Sequence, residues 1–79
     1  MRLRLMLTAP QFDDAEIIEL CCMKGNCTYV KYRYENNIDM PQEHRDVLEK
    51  EGWRFYHTYG WYEKGNPVST QNDYVFYKK

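Results

Sequence analysis

Between Glu51 and Glu63 the chain places two tryptophans, three tyrosines and a phenylalanine in thirteen residues, and no other segment limits the fold so strongly. Rings at that density need a packed layer against at least one side of them. Taken by parity, Trp53, Phe55, His57, Tyr59 and Trp61 form one set and Arg54, Tyr56, Thr58 and Tyr62 the other, the period-two pattern of a half-buried strand. The first set is expected to face a core, at least where the strand begins, and the second to face outward.

The same alternation recurs from Cys27 to Glu35. Thr28, Val30, Tyr32 and Tyr34 take one side, with Tyr29, Lys31, Arg33 and Glu35 on the other, in a run dominated by β-branched and aromatic types. Leu3, Leu5 and Leu7 alternate with Arg2 and Arg4, which predicts a first strand over 2–7. Between these strands, Asp13 with Glu16 three residues on forms a capping-box pattern, flanked by Phe12 and Ile17 as a hydrophobic staple. With Ile17, Leu20, Cys21 and Lys24 at helical spacing and Gly25 as a stop, this predicts a helix over about 14–24. A competing reading makes Ile17 to Met23 a strand that turns through Lys24, Gly25 and Asn26 into the next one. Further on, Asn36 and Asn37 signal a turn. Asp39 as a cap, Pro41 and Gln42 predict a second helix over 41–51, with Met40, His44, Val47 and Leu48 inward and Gly52 as its end. Polar residues from Glu63 to Asn72 read as a loop, and 73–78 as a last strand.

The resulting order is βαβαββ. It predicts a single α+β domain over 1–79, with two helices packed on one face of a sheet and the other face open.

The stretch from Asp46 to Phe55, with Glu51-Gly52-Trp53 at its joint, followed by Tyr74-Val75-Phe76-Tyr77-Lys78, resembles a group of small bacterial and phage domains of unknown function. The resemblance covers about residues 28 to 79. It implies a helix ended by the glycine, a tryptophan entering the sheet against that helix, and a Tyr-Val-Phe strand closing the sheet edge. It implies no activity, because the group has no assigned chemistry, and the long start of this chain departs from the group's usual short one.

A net charge of −1 with 29% charged residues excludes both a polybasic tail and a strongly acidic DNA mimic. The layout of the charges is more telling. The expected strands carry Arg2, Arg4, Lys31, Arg33 and Arg54 and no acid over 2–7, 28–34 and 53–59. The expected helices carry Asp13, Asp14, Glu16, Glu19, Asp39, Glu43, Asp46, Glu49 and Glu51 against Lys24, Arg45 and Lys50. If both helices cover one face, the strand cations gather on the other with Tyr29 and Tyr56. The candidate partner-binding residues are therefore Arg2, Arg4, Tyr29, Lys31, Arg33, Arg54 and Tyr56.

Three cysteines, Cys21, Cys22 and Cys27, fit reduced thiols in a chain without an export signal. Adjacent cysteines on a helix diverge by about 100° and seldom serve one ion. No metal or cofactor is expected, and His44 and His57 are read as packed residues. No nucleophile, phosphate loop or paired-carboxylate pattern appears, so no enzyme is expected. Nor does any run reach the roughly 20 apolar residues of a membrane span. The sequence thus points to a cytoplasmic, non-enzymatic binding module that works by protein contact. Its expected partner is a host protein or complex, as for an anti-defence inhibitor from a phage or mobile element. The alternative is a single-stranded nucleic-acid binder using the basic, tyrosine-rich sheet face. A dimer through exposed terminal strands stays open. On this reading Trp53→Ala is costly to folding and Arg33→Ala nearly neutral.

Overall fold

The computed structural model describes residues 9–24 and 26–78 of the chain. They form β1 (Glu16–Met23), β2 (Asn26–Glu35), α1 (Gln42–Lys50), β3 (Arg54–Tyr62) and β4 (Ser69–Tyr77). The four strands make one antiparallel sheet in the order β1-β2-β4-β3. The expected βαβαββ order with two helices is corrected to ββαββ with one helix among the described residues. The strand expected over 2–7, with Arg2 and Arg4, lies outside them.

The segment expected to be a helix over 14–24 is β1, paired with β2 from Glu16 opposite Arg33 to Met23 opposite Asn26. The reason is physical. A register shift between Ile17 and Glu19 leaves Ile18 as an extra residue, and a bulge of this kind puts two residues three apart on one face. Ile17 opposite Tyr32 and Leu20 opposite Val30 thereby both pack against the core. That spacing imitates one helical turn. Phe12 to Ala15 form a local turn instead, closed by the Ala15 amide donating to the Phe12 carbonyl at 3.2 Å, and Glu16 opens β1. Pairing along β2 then outweighs a weak helical preference in a segment with Ile17 and Ile18 at its centre.

Strands β2 and β4 occupy the middle of the sheet, so each is flanked by a neighbouring strand on both sides. On the helix side Val30, Tyr32 and Tyr34 meet Tyr74, Phe76, Leu48 of α1, Trp53 and Met40 in one core. The place of the missing second helix is taken by 9–15. Ala9 is buried there, the Tyr32 hydroxyl donates to the Pro10 carbonyl at 2.6 Å, and Phe12 stacks on His44 with ring centroids 4.0 Å apart. Tyr34 and His44 Nδ1 share a hydrogen bond of 2.9 Å. Burial holds the phenols of Tyr32 and Tyr34 well above their ordinary range, and neighbouring groups, Tyr34 for the first and Tyr74 for the second, add to it.

The end of α1 follows the expected pattern closely. Gly52 has φ of 95°, its amide donates to Glu49 at 3.0 Å, and the Trp53 amide donates to Leu48 at 2.9 Å. These two bonds make a Schellman motif, whose apolar contact is supplied by the buried pair Leu48 and Trp53. The start differs. Pro41 is the cap position and makes no side-chain bond, while the Asp39 carboxylate accepts from the Tyr74 hydroxyl at 3.3 Å and ties this loop to β4. Val47, expected inward, is exposed. Tyr74, Val75 and Phe76, expected to close the edge, lie in the sheet centre because β4 inserts between β2 and β3.

Cys22 and Cys27 are joined as a disulfide across the β1–β2 hairpin, with Cα atoms 3.8 Å apart, and Cys21 is a free, exposed thiol. This replaces the expected three reduced cysteines. A strand, unlike a helix, sets Cys21 and Cys22 on opposite faces, so only Cys22 meets Cys27.

Candidate functional site

The sheet face opposite α1 is where the expected site residues Tyr29, Lys31, Arg33 and Arg54 meet, Arg2 and Arg4 lying outside the described residues. Pairing on this face follows three rows across all four strands: Glu16, Arg33, Asp73 and Tyr59; Glu19, Lys31, Val75 and His57; Cys21, Tyr29, Tyr77 and Arg54. Tyr29, Lys31, Arg33 and Arg54 are thus brought together as expected. Tyr56 stands beside them, its ring edge-on to Tyr77 at 6.1 Å.

The second half of β3 is turned over relative to its sequence pattern. Pairing with β4 steps from Phe55 opposite Phe76 to His57 opposite Val75, so Tyr56 is a bulge residue. One extra residue exchanges every later side chain between faces. His57, Tyr59 and Trp61, expected against the helices, therefore stand on the outer face. Thr58, expected outward, stands opposite Tyr74 on the helix face. Tyr62 goes with it, and its ring comes within 3.1 Å of where a Cβ on Gly60 would lie. Phe55 remains on the helix side, edge-on to Phe76 with the Arg45 guanidinium 4.9 Å from its ring.

The face is not the acid-free cationic surface that the sequence implied. Asp73 lies at its centre with 0% exposure. Arg33 Nε and Nη2 donate to its two carboxylate oxygens at 2.8 and 2.9 Å, and Trp61 Nε1 donates at 2.8 Å. The Arg33 guanidinium also lies 5.7 Å from the Trp61 ring. Burial pushes the Asp73 carboxyl up, but the bonds from Arg33 and Trp61 and the charges of Arg33 and Lys31 outweigh it and hold it below the usual carboxylate range. The bond to Asp73 likewise raises Arg33 above its already high value.

A second network runs beside the first. Glu19 Oε1 accepts from the Tyr29 hydroxyl at 3.0 Å and sits 3.9 Å from Lys31 Nζ, which is 5.2 Å from the Tyr59 ring centre. Burial first, then the Glu19 bond, pushes the Tyr29 phenol up to about 12. Glu19 had been counted among helix acids. As a strand residue it neutralises Lys31 instead.

Tyr59 at 42% and Trp61 at 50% exposure remain accessible on this face, as does Tyr56 beside it at 65%. Asp73, Glu19, His57, Tyr59 and Trp61 are the members that sequence reasoning missed. A signal for Asp73 was available, since it shares parity with Val75 and Tyr77. The bulge carries a weaker trace in the adjacent rings of Phe55 and Tyr56. His44 and His57 lie on opposite faces, and among the described residues no group of three His, Cys, Asp or Glu side chains gathers as a metal site. Among them, too, no helix is long and apolar enough to cross a membrane.

Comparison with protein-family models, with curated proteins and with solved structures found no match.

Proposed function

We propose that the chain is a non-enzymatic binding module that acts by protein contact, through the sheet face opposite α1. One observation carries this reading: the two cations at the middle of the face, Arg33 and Lys31, are balanced by carboxylates of the same face, leaving Arg54 at its end as the cation without an ion pair among the described residues, while its rings stay exposed. Arg33 is committed to Asp73 at 2.8 Å and Lys31 lies 3.9 Å from Glu19, whereas Tyr59 and Trp61 are left open to solvent. Tyrosine, tryptophan and arginine held rigid in this way are the side chains that dominate protein–protein hot spots. A polyphosphate ligand needs unpaired cations, and the pairing of Arg33 and Lys31 weighs against that alternative.

Affinity capture with immobilised protein, with and without nuclease and over a range of salt, tests the proposal. The expected result is a stoichiometric protein that survives nuclease and moderate salt and is lost with Tyr59→Ala. Capture that vanishes with nuclease, or binding to single-stranded oligonucleotides that falls steeply with salt, overturns it in favour of nucleic-acid binding.

A further inference from the structure

We infer that a second copy of this chain pairs with β3, edge to edge and antiparallel, about a two-fold axis at Tyr59. This goes beyond the face-on contact proposed above, because it uses the backbone edge of β3, which no other described strand pairs with.

Strand β3 ends the sheet order, and among the described residues no strand lies on its outer side. All nine of its residues are exposed. Edges of soluble proteins are normally blunted by lysine, proline, inward charges or bulges. From Phe55 to Tyr62 the strand has no lysine, proline or charged residue, and its own bulge, at Tyr56, lies near its start and leaves His57 to Trp61 regular. Its charges stand only at the two ends and are opposite in sign: Arg54 opens it and Glu63 follows it.

An antiparallel pair of identical strands related by a two-fold axis must be centred on one residue. The alternation of faces, corrected for the Tyr56 bulge, then fixes which side chains meet. Centred on Tyr59, the pairs are Tyr59 with Tyr59, Thr58 with Gly60, His57 with Trp61, Phe55 with Tyr62 and Arg54 with Glu63. Every pair within β3 keeps like faces together, and Glu63, the residue after Tyr62, falls opposite Arg54. Both ends place an arginine opposite a glutamate, and the rows between are aromatic, the kinds of cross-strand neighbour that stabilise a ladder. Centred one residue earlier, on Thr58, the faces still match but Arg54 meets Trp61 and Glu63 has no basic partner. Charge complementarity therefore selects the Tyr59 register. The interface is self-complementary, as a two-fold dimer requires, and the net charge of −1 opposes association only weakly.

Sedimentation of the full chain tests this. A concentration-dependent dimer is expected. Arg54→Glu or Glu63→Arg alone sets like charges opposite each other at both ends and should weaken self-association about tenfold or more, a change of about 1.4 kcal/mol per decade. The double variant Arg54→Glu/Glu63→Arg should restore it. Both sites are exposed, and far-UV circular dichroism checks that each variant stays folded. In a Cys21→Ser background, Tyr59→Cys should cross-link to its own copy under mild oxidation. A monomer at all concentrations overturns the inference, as does a dimer that ignores the charge reversals or fails to cross-link at residue 59. Neither result bears on partner capture through the outer face, so the two proposals fail separately.

Discussion

Arg33 on β2 and Asp73 on β4 stand directly opposite and are joined by two parallel hydrogen bonds of 2.8 and 2.9 Å. The pair is asymmetric in burial: the Asp73 side chain is 0% exposed and that of Arg33 26%. Removing the arginine leaves a desolvated carboxylate held only by Trp61. Breaking fully buried pairs costs about 3 to 5 kcal/mol, and partial access of water to Arg33 lowers that to roughly 2 to 3 kcal/mol. Arg33→Ala is thus expected to lower the urea midpoint substantially, not to be neutral as parity alone implied. Trp53→Ala, at a site 1% exposed, is expected to cost about 3 to 5 kcal/mol.

The same carboxylate makes acid stability predictable in sign. Its proton affinity is lower in the folded chain than in the unfolded one, so the unfolded state takes up the proton first as pH falls. The stability contributed by the ionised Asp73 is complete above the unfolded value of about 4 and is lost as pH drops through the lower folded value. Urea titrations at pH 6 and at successively lower pH should show that loss, and Asp73→Asn should flatten it. An unchanged slope in Asp73→Asn would place the acid sensitivity elsewhere.

At high pH the tyrosines give the opposite sign. Tyr29 is pushed up to about 12, and Tyr32, Tyr34 and Tyr74 are also raised, in each case chiefly by burial. Above the unfolded phenol value of about 10, the unfolded chain releases protons that the folded chain retains, so stability declines as pH rises. Ultraviolet titration should show phenolate from these four residues appearing late and together with unfolding. Titration of all the tyrosines near pH 10 in a chain still folded would contradict the packing of Tyr32 and Tyr34.

What was legible in the sequence followed from regular periods and local chemistry. β2 keeps an unbroken alternation from Tyr29 to Glu35, and its faces were read correctly. The end of α1 was legible because Gly52 and Trp53 announce a Schellman motif. The failures that reached the site coincide with bulges. At Ile18 a bulge made a strand look helical, and at Tyr56 another moved His57, Tyr59 and Trp61 to the outer face. A bulge depends on which strand lies alongside, and that is decided by contacts distant in sequence. The error in β1 then spread to the site, since Glu19 was assigned to a helix when it balances Lys31.

Gly52 gives a local test of the part that was read correctly. Its φ of 95° disfavours any residue with a Cβ, although the nearest atom to such a Cβ would be Lys78 Cε at 3.7 Å. Space is therefore not the obstacle, and backbone strain is. Gly52→Ala is expected to cost about 1 to 2 kcal/mol, and Gly52→Asn less, because asparagine tolerates the left-handed region better. Thermal melting of the two variants distinguishes strain from crowding: a steric site would penalise the larger asparagine more.

The cysteines supply a covalent check on β1 itself. As a strand, the segment puts Cys22 opposite Cys27 and turns Cys21 to the other face. A helix over 14–24 would leave no such pairing. In the native chain, thiol labelling without reductant should modify Cys21 and spare Cys22 and Cys27, and after reduction and unfolding all three of the chain's cysteines should react. Closing so short a loop contributes about 2 kcal/mol in the chain-entropy view, less what the hairpin already constrains. Cys22→Ser/Cys27→Ser should therefore lower the melting temperature modestly without abolishing the fold, whereas Cys21→Ser should leave it unchanged. Labelling of Cys22 as fast as Cys21 in unreduced protein would show that the Cys22–Cys27 bond is absent, whereas spared Cys22 and Cys27 require the two to stand opposite each other and so support the hairpin register on which the outer face is built.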